Sequence, residues 1–305
     1  MKKNPDRINT INSKGKTALH LAVEDNDVYS VTKLLAVPGV DVNIEDWRGH
    51  YRPLNRAAKL GRIDCIKKLL AAPGVEINAK NSSHQTALHL AAVNGNVEIV
   101  KALLDNGVDV NTKDEDGNTA LRVAVCNFIR HYDDKKATEK IILIYNLVKE
   151  LLNAPGIDVN IKEDKTVLHL AAENGNVEIV KALLNAPGID VNIKGLLGRT
   201  ALSDAAYRGK TDIVQLLIDN KADVNIKDLW GKTALMYAKE KGYTEIEKLL
   251  EEAALKSQSA DSTSETLAAL KAGGGDVELS EASTKAIGES IEKMGISTEH
   301  SSDEA

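Results

Sequence analysis

One stretch of this 305-residue chain is repeated with few changes, and that repetition limits the possible folds more than any other feature. The segment TALHLAAVNGNVEIVKALLDNGVDVN, residues 86–111, returns as TVLHLAAENGNVEIVKALLNAPGIDVN at residues 166–192. Weaker copies share the same opening position, and they place seven unit openings at Thr17, Arg52, Thr86, Thr119, Thr166, Thr200 and Thr233. A fixed period of this kind predicts an array of stacked units rather than a single globular core.

Within one unit, the apolar pattern predicts two short helices and a polar turn. Thr86 can cap the first helix through its hydroxyl group, and Gly95 can end that helix in a left-handed conformation. The second helix carries apolar residues at helical spacing, namely Val97, Val100, Leu103 and Leu104. Because a single pair is too thin to bury its own apolar face, neighbouring units must stack on it.

The motifs TALHLAA, GNVEIVKALL and GVDVN together resemble the ankyrin repeat, which is marked by a T-P-L-H-x-A helix start. The resemblance covers about 245 of the 305 residues. It implies an all-α solenoid of stacked antiparallel helix pairs, with β-hairpin fingers projecting from one side. It also implies a non-catalytic scaffold that binds another protein through its finger tips and its concave face.

The period divides the chain into a repeat array, residues 1–256, and an acidic tail, residues 257–305. Unit 4 carries an insertion at about residues 127–143, which we expect to lengthen both of its helices. The tail is rich in Ser, Thr, Glu, Ala and Gly, a composition typical of disordered segments. We expect it to be mostly disordered, although Ile287, Ile291 and Met294 could form one short amphipathic helix on binding.

The net charge of −6 is distributed unevenly along the chain. Residues 251–305 hold 12 acidic residues against 4 lysines, whereas residues 1–250 hold 33 acidic residues against 35 basic ones. A nearly neutral array offers no basic patch to nucleic acid. The chain has no 18-residue apolar run and no secretory signal at its start. We therefore expect a cytoplasmic monomer that binds neither nucleic acid nor membrane.

The pattern of polar residues predicts no catalytic site, no cofactor and no metal. Three Gly-Lys-Thr triplets lack the preceding glycine that a phosphate-binding loop requires. His20, His89 and His169 recur only once per unit, which is too far apart for a shared metal. The resemblance implies instead that they bond between neighbouring units. Cys65 and Cys126 align with apolar positions of other units, so we expect two buried free thiols.

The resemblance assigns the concave surface to the finger tips and to the positions before each helix-ending glycine. The candidate partner-binding residues at these positions are Trp47, Arg48, His50, Lys59, Ser83, Gln85, Glu115, Asn118, Leu196, Leu197, Arg199, Tyr207, Arg208, Leu229, Trp230 and Lys232. Aromatic and arginine side chains of this kind dominate the energetics of protein interfaces. Alternatively, each fingertip tryptophan packs on the neighbouring finger, and the sequence leaves both roles open.

Two further hypotheses follow from the repeats. A ladder of five lysines, one per finger, could steer an acidic partner or form a solvated edge; its members are Lys80, Lys113, Lys162, Lys194 and Lys227. The repeats also look similar to ankyrin arrays of intracellular bacteria. That similarity suggests an alternative function: a secreted effector, exported to a host cell cytoplasm, whose repeats target a host protein and whose tail is the export or docking signal.

Overall fold

The computed structural model describes residues 7–132 and 138–257, and within these ranges it is a stack of paired α-helices. In chain order they are α1 (Ala18–Glu24), α2 (Val28–Leu35), α3 (Pro53–Leu60), α4 (Ile63–Leu70), α5 (Ala87–Asn94), α6 (Val97–Asp105), α7 (Ala120–Tyr132), α8 (Thr138–Leu152), α9 (Val167–Asn174), α10 (Val177–Leu184), α11 (Ala201–Tyr207), α12 (Thr211–Asp219), α13 (Ala234–Lys241) and α14 (244–257). A short 3₁₀ turn, Leu196–Gly198, precedes α11. The predicted all-α solenoid is confirmed.

Each unit begins its first helix one residue after the opening residue read from the sequence. Thr166, for example, has an extended backbone, and its hydroxyl oxygen accepts the His169 N–H at 3.4 Å. Unit 2 opens without a hydroxyl group at Arg52, but Pro53 occupies the first helical position, where its fixed φ favours a helix start. The unit boundaries therefore rest on local capping chemistry.

The core lies between successive helix pairs and runs through the described part of the stack. Small side chains on the first helices, such as Ala57, Ala91 and Ala171, are fully buried, which lets neighbouring first helices approach closely. The second helices contribute larger apolar side chains to the same core, as Ile99 and Leu103 do in unit 3. Each unit therefore buries its apolar face only against its neighbours, as expected for a solenoid.

A line of asparagines before the fingers joins each unit to the next. The Asn111 amide donates to the Gly156 carbonyl at 2.7 Å, and its oxygen accepts the Asp158 N–H at 2.9 Å. The same double contact is made by Asn9, Asn43 and Asn160. The asparagine of the V-N motif is therefore a clamp between units.

The fingers project as expected but are shorter than β-hairpins. In unit 4, the Asp114 N–H donates to the Asn118 carbonyl at 2.9 Å, and the Gly117 N–H donates back to Asp114 at 3.1 Å. Two bonds close a tight turn but are too few for strands, and no β-strand occurs in residues 7–132 or 138–257. Each finger is therefore a compact turn that presents two tip residues.

The two helices of unit 4 are longer than those of the other units from 1 to 5: α7 has 13 residues and α8 has 15. The centroids of the Phe128 and Tyr145 rings lie 6.3 Å apart, whereas the Ile142 and Leu143 side chains are exposed. The predicted insertion at about residues 127–143 includes residues 133–137, which lie outside the described residues. Residues 258–305 of the predicted tail also lie outside them, so the division of the chain at residue 256 stays a prediction.

Candidate functional site

The histidines of the T-x-L-H motif are buried in the framework. The His169 Nδ1 lies 2.8 Å from the Thr166 hydroxyl, and its Nε2 lies 3.0 Å from the Arg199 carbonyl of the next unit. This arrangement requires a neutral ring that donates from Nε2, and burial lowers the pKa of His169 accordingly. His20 and His89 make equivalent contacts. These side chains hold neighbouring units together and are unavailable to a ligand.

No group of three or more His, Cys, Asp or Glu side chains in the described ranges could hold a metal ion. Cys65 is buried as predicted, whereas Cys126 is only partly buried. Burial raises the pKa of both thiols, so both are neutral and poorly nucleophilic.

In five of the seven units, the residue before the unit opening contacts the residue eight positions later in the same unit. Five units show this pairing: Lys16 with Glu24 at 2.6 Å, Lys59 with the Tyr51 hydroxyl at 2.8 Å, Lys165 with Glu173 at 2.6 Å, Lys232 with Glu240 at 2.5 Å, and Arg199 above the Tyr207 ring at 4.7 Å. Four of the predicted binding residues, Lys59, Arg199, Tyr207 and Lys232, belong to these pairs. They are therefore already engaged within the fold.

Arg199 is the centre of an aromatic cluster between units 6 and 7. Its guanidinium carbon lies 4.6 Å from the Tyr237 ring centroid and 5.6 Å from that of Trp230, in addition to the Tyr207 contact. The guanidinium also donates to the Tyr237 hydroxyl at 3.0 Å. Tyr207 and Tyr237 meet edge to face, with 5.4 Å between their centroids. The last two units therefore share one cation–π network.

A buried carboxylate completes this cluster. Burial acts to raise the pKa of Asp228, but donors from the Tyr237 hydroxyl and from the Lys232 and Trp230 N–H groups outweigh it and hold the pKa below its usual value. Arg199 adds a positive charge 3.9 Å away. Asp228 is therefore ionised, and it fixes the shape of the finger that carries Trp230.

The tips of fingers 6 and 7, defined here as residues 194–199 and 227–232, expose four large apolar side chains. The exposed fractions are 51% for Leu196, 39% for Leu197, 76% for Leu229 and 57% for Trp230. The two fingers are joined because the Leu229 N–H donates to the Leu197 carbonyl at 3.0 Å. We call these four residues the apolar tip patch. The equivalent tips of unit 4 are Glu115 and Asp116, which are charged.

The backbone at Leu197 is strained. Its φ of 65° and ψ of 11° lie in the left-handed region, which costs a non-glycine residue about 1–3 kcal/mol. Glycine, asparagine or aspartate tolerates this conformation better than leucine. An aliphatic side chain kept in this conformation at the surface points to a role beyond folding.

The other predicted residues form two separate groups. In unit 2, Trp47, Arg48 and His50 are exposed, and the Trp47 ring lies against Gly15 of the preceding finger, where a Cβ would overlap it. Trp47 therefore packs on the neighbouring finger, as the alternative prediction states, but only with one side of its ring. The residue is still 62% exposed. His50 Nδ1 lies 2.9 Å from a Glu45 carboxylate oxygen.

The group in units 3 and 4 is less exposed. The Glu115 N–H donates to the Ser83 carbonyl at 3.2 Å and joins the two fingers. Gln85 and Asn118 are partly buried, and their side chains accept from Asn81 and Arg122. Arg208, in unit 6, is exposed and pairs with Glu173 at 3.1 Å. Among the described residues, the largest group of candidates that the structure brings together lies in units 6 and 7, whereas Ser83 and Glu115 meet through a single main-chain bond.

Sequence reasoning overlooked the polar side chains in the middle of the first helices. Arg56, Asp204 and Tyr237 stand at the position that Leu90 fills in unit 3. Arg56 pairs with the buried Asp46 and with Glu24, the latter at 3.2 Å. Asp204 pairs with Lys165 at 2.9 Å. The departure from leucine at this position was the signal that could have identified them.

The lysine ladder has a structural contact in most units. The ammonium groups of Lys80, Lys162 and Lys194 each donate to the main-chain carbonyl of the corresponding ladder lysine one unit later, at 2.5 to 2.9 Å. Lys113 instead pairs with Glu163 at 2.7 Å. The ladder is therefore a series of bonds between fingers, although each ammonium group keeps its charge.

Comparison with known proteins agrees with this geometry. The profile for ankyrin repeats in three copies matches residues 54–136, 141–228, 186–259 and 205–274, and the single ankyrin repeat profile matches residues 14–47. The chain belongs to the ankyrin repeat family. Ankyrin repeats generally mediate protein–protein interactions, and members of the family are typically non-enzymatic.

Solved ankyrin repeat domains have the same architecture. The ankyrin repeat domain of Bcl-3, described as a unique member of the IkappaB protein family, is 30% identical, with a TM-score of 0.65 over 77% of this chain and 99% of that one. An ankyrin repeat domain from Acinetobacter baumannii AYE is 32% identical, with a TM-score of 0.56 over 66% of this chain and 97% of that one. This chain therefore has the same repeat architecture as both solved domains, and the match extends well beyond its two near-identical units.

One curated relative is the human SMC5-SMC6 complex localization factor protein 1. It is 40% identical over 95 residues, which are 31% of this ankyrin repeat chain and 9% of the relative. The chain thus spans about a tenth of the length of the curated relatives that it matches. Among the described residues of the chain, no helix combines the length and the apolar character needed to cross a membrane.

Proposed function

We propose that this protein is a non-catalytic ankyrin scaffold that binds a partner protein through the apolar tip patch and the adjoining concave surface of units 6 and 7. The observation that carries the proposal is the exposure of Leu196, Leu197, Leu229 and Trp230 on two bonded fingers. Contiguous exposed apolar side chains mark interaction sites on soluble proteins.

Two features of the patch support a binding role. Leu197 keeps an aliphatic side chain in a conformation that disfavours it, so stability alone does not account for the residue. The Arg199 guanidinium lies 5.6 Å from the Trp230 ring and the Trp230 main-chain N–H donates to Asp228, so part of the conformational freedom of Trp230 is already lost before a partner covers it. A rigid aromatic anchor with apolar neighbours and a polar rim has the composition of an interface hot spot.

The curated relative is by name a localization factor for a protein complex. A scaffold that brings a partner protein to a particular location belongs to the same class of function. The further prediction of a secreted effector would place its signal in residues 257–305. Of these, residues 258–305 lie outside the described residues, so this alternative stays a prediction, and transfer of a tail-fused reporter into host cells would test it.

A photo-crosslinking experiment tests the proposed surface. The photoreactive residue p-benzoylphenylalanine replaces Leu229 in the full chain, and in a matched control it replaces Glu115, the residue at the same finger position in unit 4. We expect irradiation in cells to attach a partner protein to the first chain only. The Trp230→Ser change in the first chain should abolish that adduct, because it removes the aromatic anchor.

Affinity measurements then test whether the captured partner binds the apolar tip patch. With the captured partner purified, Trp230→Ser should raise the Kd by roughly 30-fold, the effect of losing a hot spot of about 2 kcal/mol. The Glu115→Ser control should leave the Kd within about two-fold, since charged rim residues contribute little. Equal crosslinking from both positions, or equal Kd changes for both variants, would show that the partner binds elsewhere.

A further inference from the structure

We propose that the apolar tip patch is also the docking site for the chain's own acidic tail, through the segment 287–296, so that the tail competes with a partner for fingers 6 and 7. This inference rests on the proposed function, because it assigns regulation to the same surface. The occupant is identified by the charge of the two fingers, by the position where the described chain ends, and by the apolar pattern of the segment.

The charge of the two fingers complements that of the tail. Fingers 6 and 7 together hold four basic residues, Lys194, Arg199, Lys227 and Lys232, against a single acidic one, Asp228. The corresponding residues of finger 4, 113–118, hold one lysine against three acidic residues. Residues 258–305 carry ten acidic residues against three lysines, a net charge of −7. Fingers 6 and 7 would therefore attract this tail, and finger 4 would repel it.

The described chain ends on the side of the stack that carries the fingers. In unit 2, the turn after the second helix places the Gly74 carbonyl 2.8 Å from Asn43, which immediately precedes finger 2. Second helices thus end beside the fingers. The last of them, α14, runs to residue 257 in the unit that bears Trp230. The tail therefore leaves the stack on the finger side of the unit that bears Trp230.

The tail is long enough to reach the patch. Thirty residues separate residue 257 from Ile287, and a flexible chain of that length has an average reach of roughly 30 Å. Fingers 6 and 7 lie within the last two units, and one helix is only about 10 Å wide. A tether that matches its span gives an effective concentration on the order of millimolar. An intrinsic Kd near 0.1 mM would then keep roughly nine tails in ten docked.

The segment 287–296 combines the two properties that the patch offers to a ligand. Ile287, Ile291 and Met294 recur at helical spacing, and Glu289, Glu292 and Lys293 lie between them, so the segment carries a net charge of −1. An apolar stripe can cover the exposed leucines and Trp230, while its carboxylates face Lys194 and Lys227, because Arg199 and Lys232 are already paired within the fold. The remaining apolar residues of the tail, including Leu267, Leu270 and Leu279, do not form this pattern.

Fluorine NMR on the full chain tests the proposal without a partner. The chain is labelled with 5-fluorotryptophan, which gives one resonance for Trp230 and one for Trp47, with the Trp47→Phe variant for assignment. A stripe variant carries Ile287→Ser, Ile291→Ser and Met294→Ser. A control variant loses the same number of apolar tail residues through Leu267→Ser, Leu270→Ser and Leu279→Ser.

We expect the stripe variant to shift the Trp230 resonance and leave that of Trp47 in place, while the control variant matches the unsubstituted chain. Added salt should move the unsubstituted chain towards the stripe variant. An unchanged Trp230 resonance in the stripe variant would refute docking, and a shift that disappears on dilution would assign the site to a second copy of the chain instead. Because no partner is present in the NMR experiment, its result does not depend on the result of the crosslinking test of the proposed function.

Discussion

Arg199 offers the sharpest test of how units 6 and 7 are held together. Its side chain is 19% exposed, stacks on Tyr207 and Tyr237 and donates to the Tyr237 hydroxyl. A cation–π contact is worth about 0.5–2 kcal/mol depending on exposure, and a hydrogen bond from a charged donor is worth about 1.5–3 kcal/mol. Because such terms overlap and the site is partly hydrated, we expect Arg199→Ala to lower the free energy of unfolding by roughly 2–4 kcal/mol.

The matched control is Arg208→Ala in the same unit. Arg208 has a side chain that is 52% exposed, and its ion pair with Glu173 lies at the surface. Pairs of this kind contribute about 0–1 kcal/mol, so this variant should remain close to the unsubstituted chain. A double-mutant cycle with Tyr237→Phe then isolates the Arg199–Tyr237 contact, for which we expect a coupling energy of about 0.5–2 kcal/mol.

Urea unfolding followed by circular dichroism measures these free energies, and in a Trp47→Phe background the fluorescence of Trp230 follows the last two units. Repeat arrays can unfold in more than one step, so the two probes are compared before a single free energy is assigned. A loss below about 0.5 kcal/mol for Arg199→Ala, or a loss equal to that of Arg208→Ala, would refute the assignment of Arg199 as the centre of the cluster.

Two further predictions concern the bonds between units. Burial lowers the pKa of His89 in the folded chain, so below about pH 6.5 the unfolded chain binds a proton that the folded chain does not. The contribution of neutral His89 to the free energy of unfolding is therefore fully present above about pH 6.5 and is lost as the pH falls below it. His89→Asn, which copies the Asn55 of unit 2, should therefore make the urea midpoint less sensitive to acidification, and an unchanged pH dependence would contradict this reasoning. Asn111→Ala removes both clamp contacts and should cost about 1–3 kcal/mol, whereas Asn111→Asp, which keeps the acceptor, should cost less. Equal thermal unfolding midpoints for the two Asn111 variants would show that the oxygen that accepts the Asp158 N–H contributes nothing.

The repeat unit was predictable from sequence because its determinants are local. Thr166 caps a helix through its own hydroxyl group, and Gly95 ends one with a φ of 69°. Neither contact requires knowledge of residues far along the chain. The stack then follows from the period, since units with one apolar face must cover one another.

The candidate site was only partly predictable. Trp230 and Leu229 were identified because finger tips occupy a fixed place in the unit, and both are exposed. The pairing of Lys59 with Tyr51 within unit 2, or of Arg199 with Tyr237 across units 6 and 7, depends on which side chains meet in the folded stack. Sequence spacing shows that such residues share a face, but it does not show whether they bind each other or remain available to a partner.

What the sequence by itself determined is the class of molecule: a stacked, all-helical array in which each unit opens at a capping position. What only the tertiary structure decided is which surface residues are engaged. It placed the ladder ammonium groups on carbonyls of the next unit and left four apolar side chains uncovered on fingers 6 and 7. The physical reason is that helix capping and periodicity act within a few residues, whereas exposure is set by neighbours one repeat away.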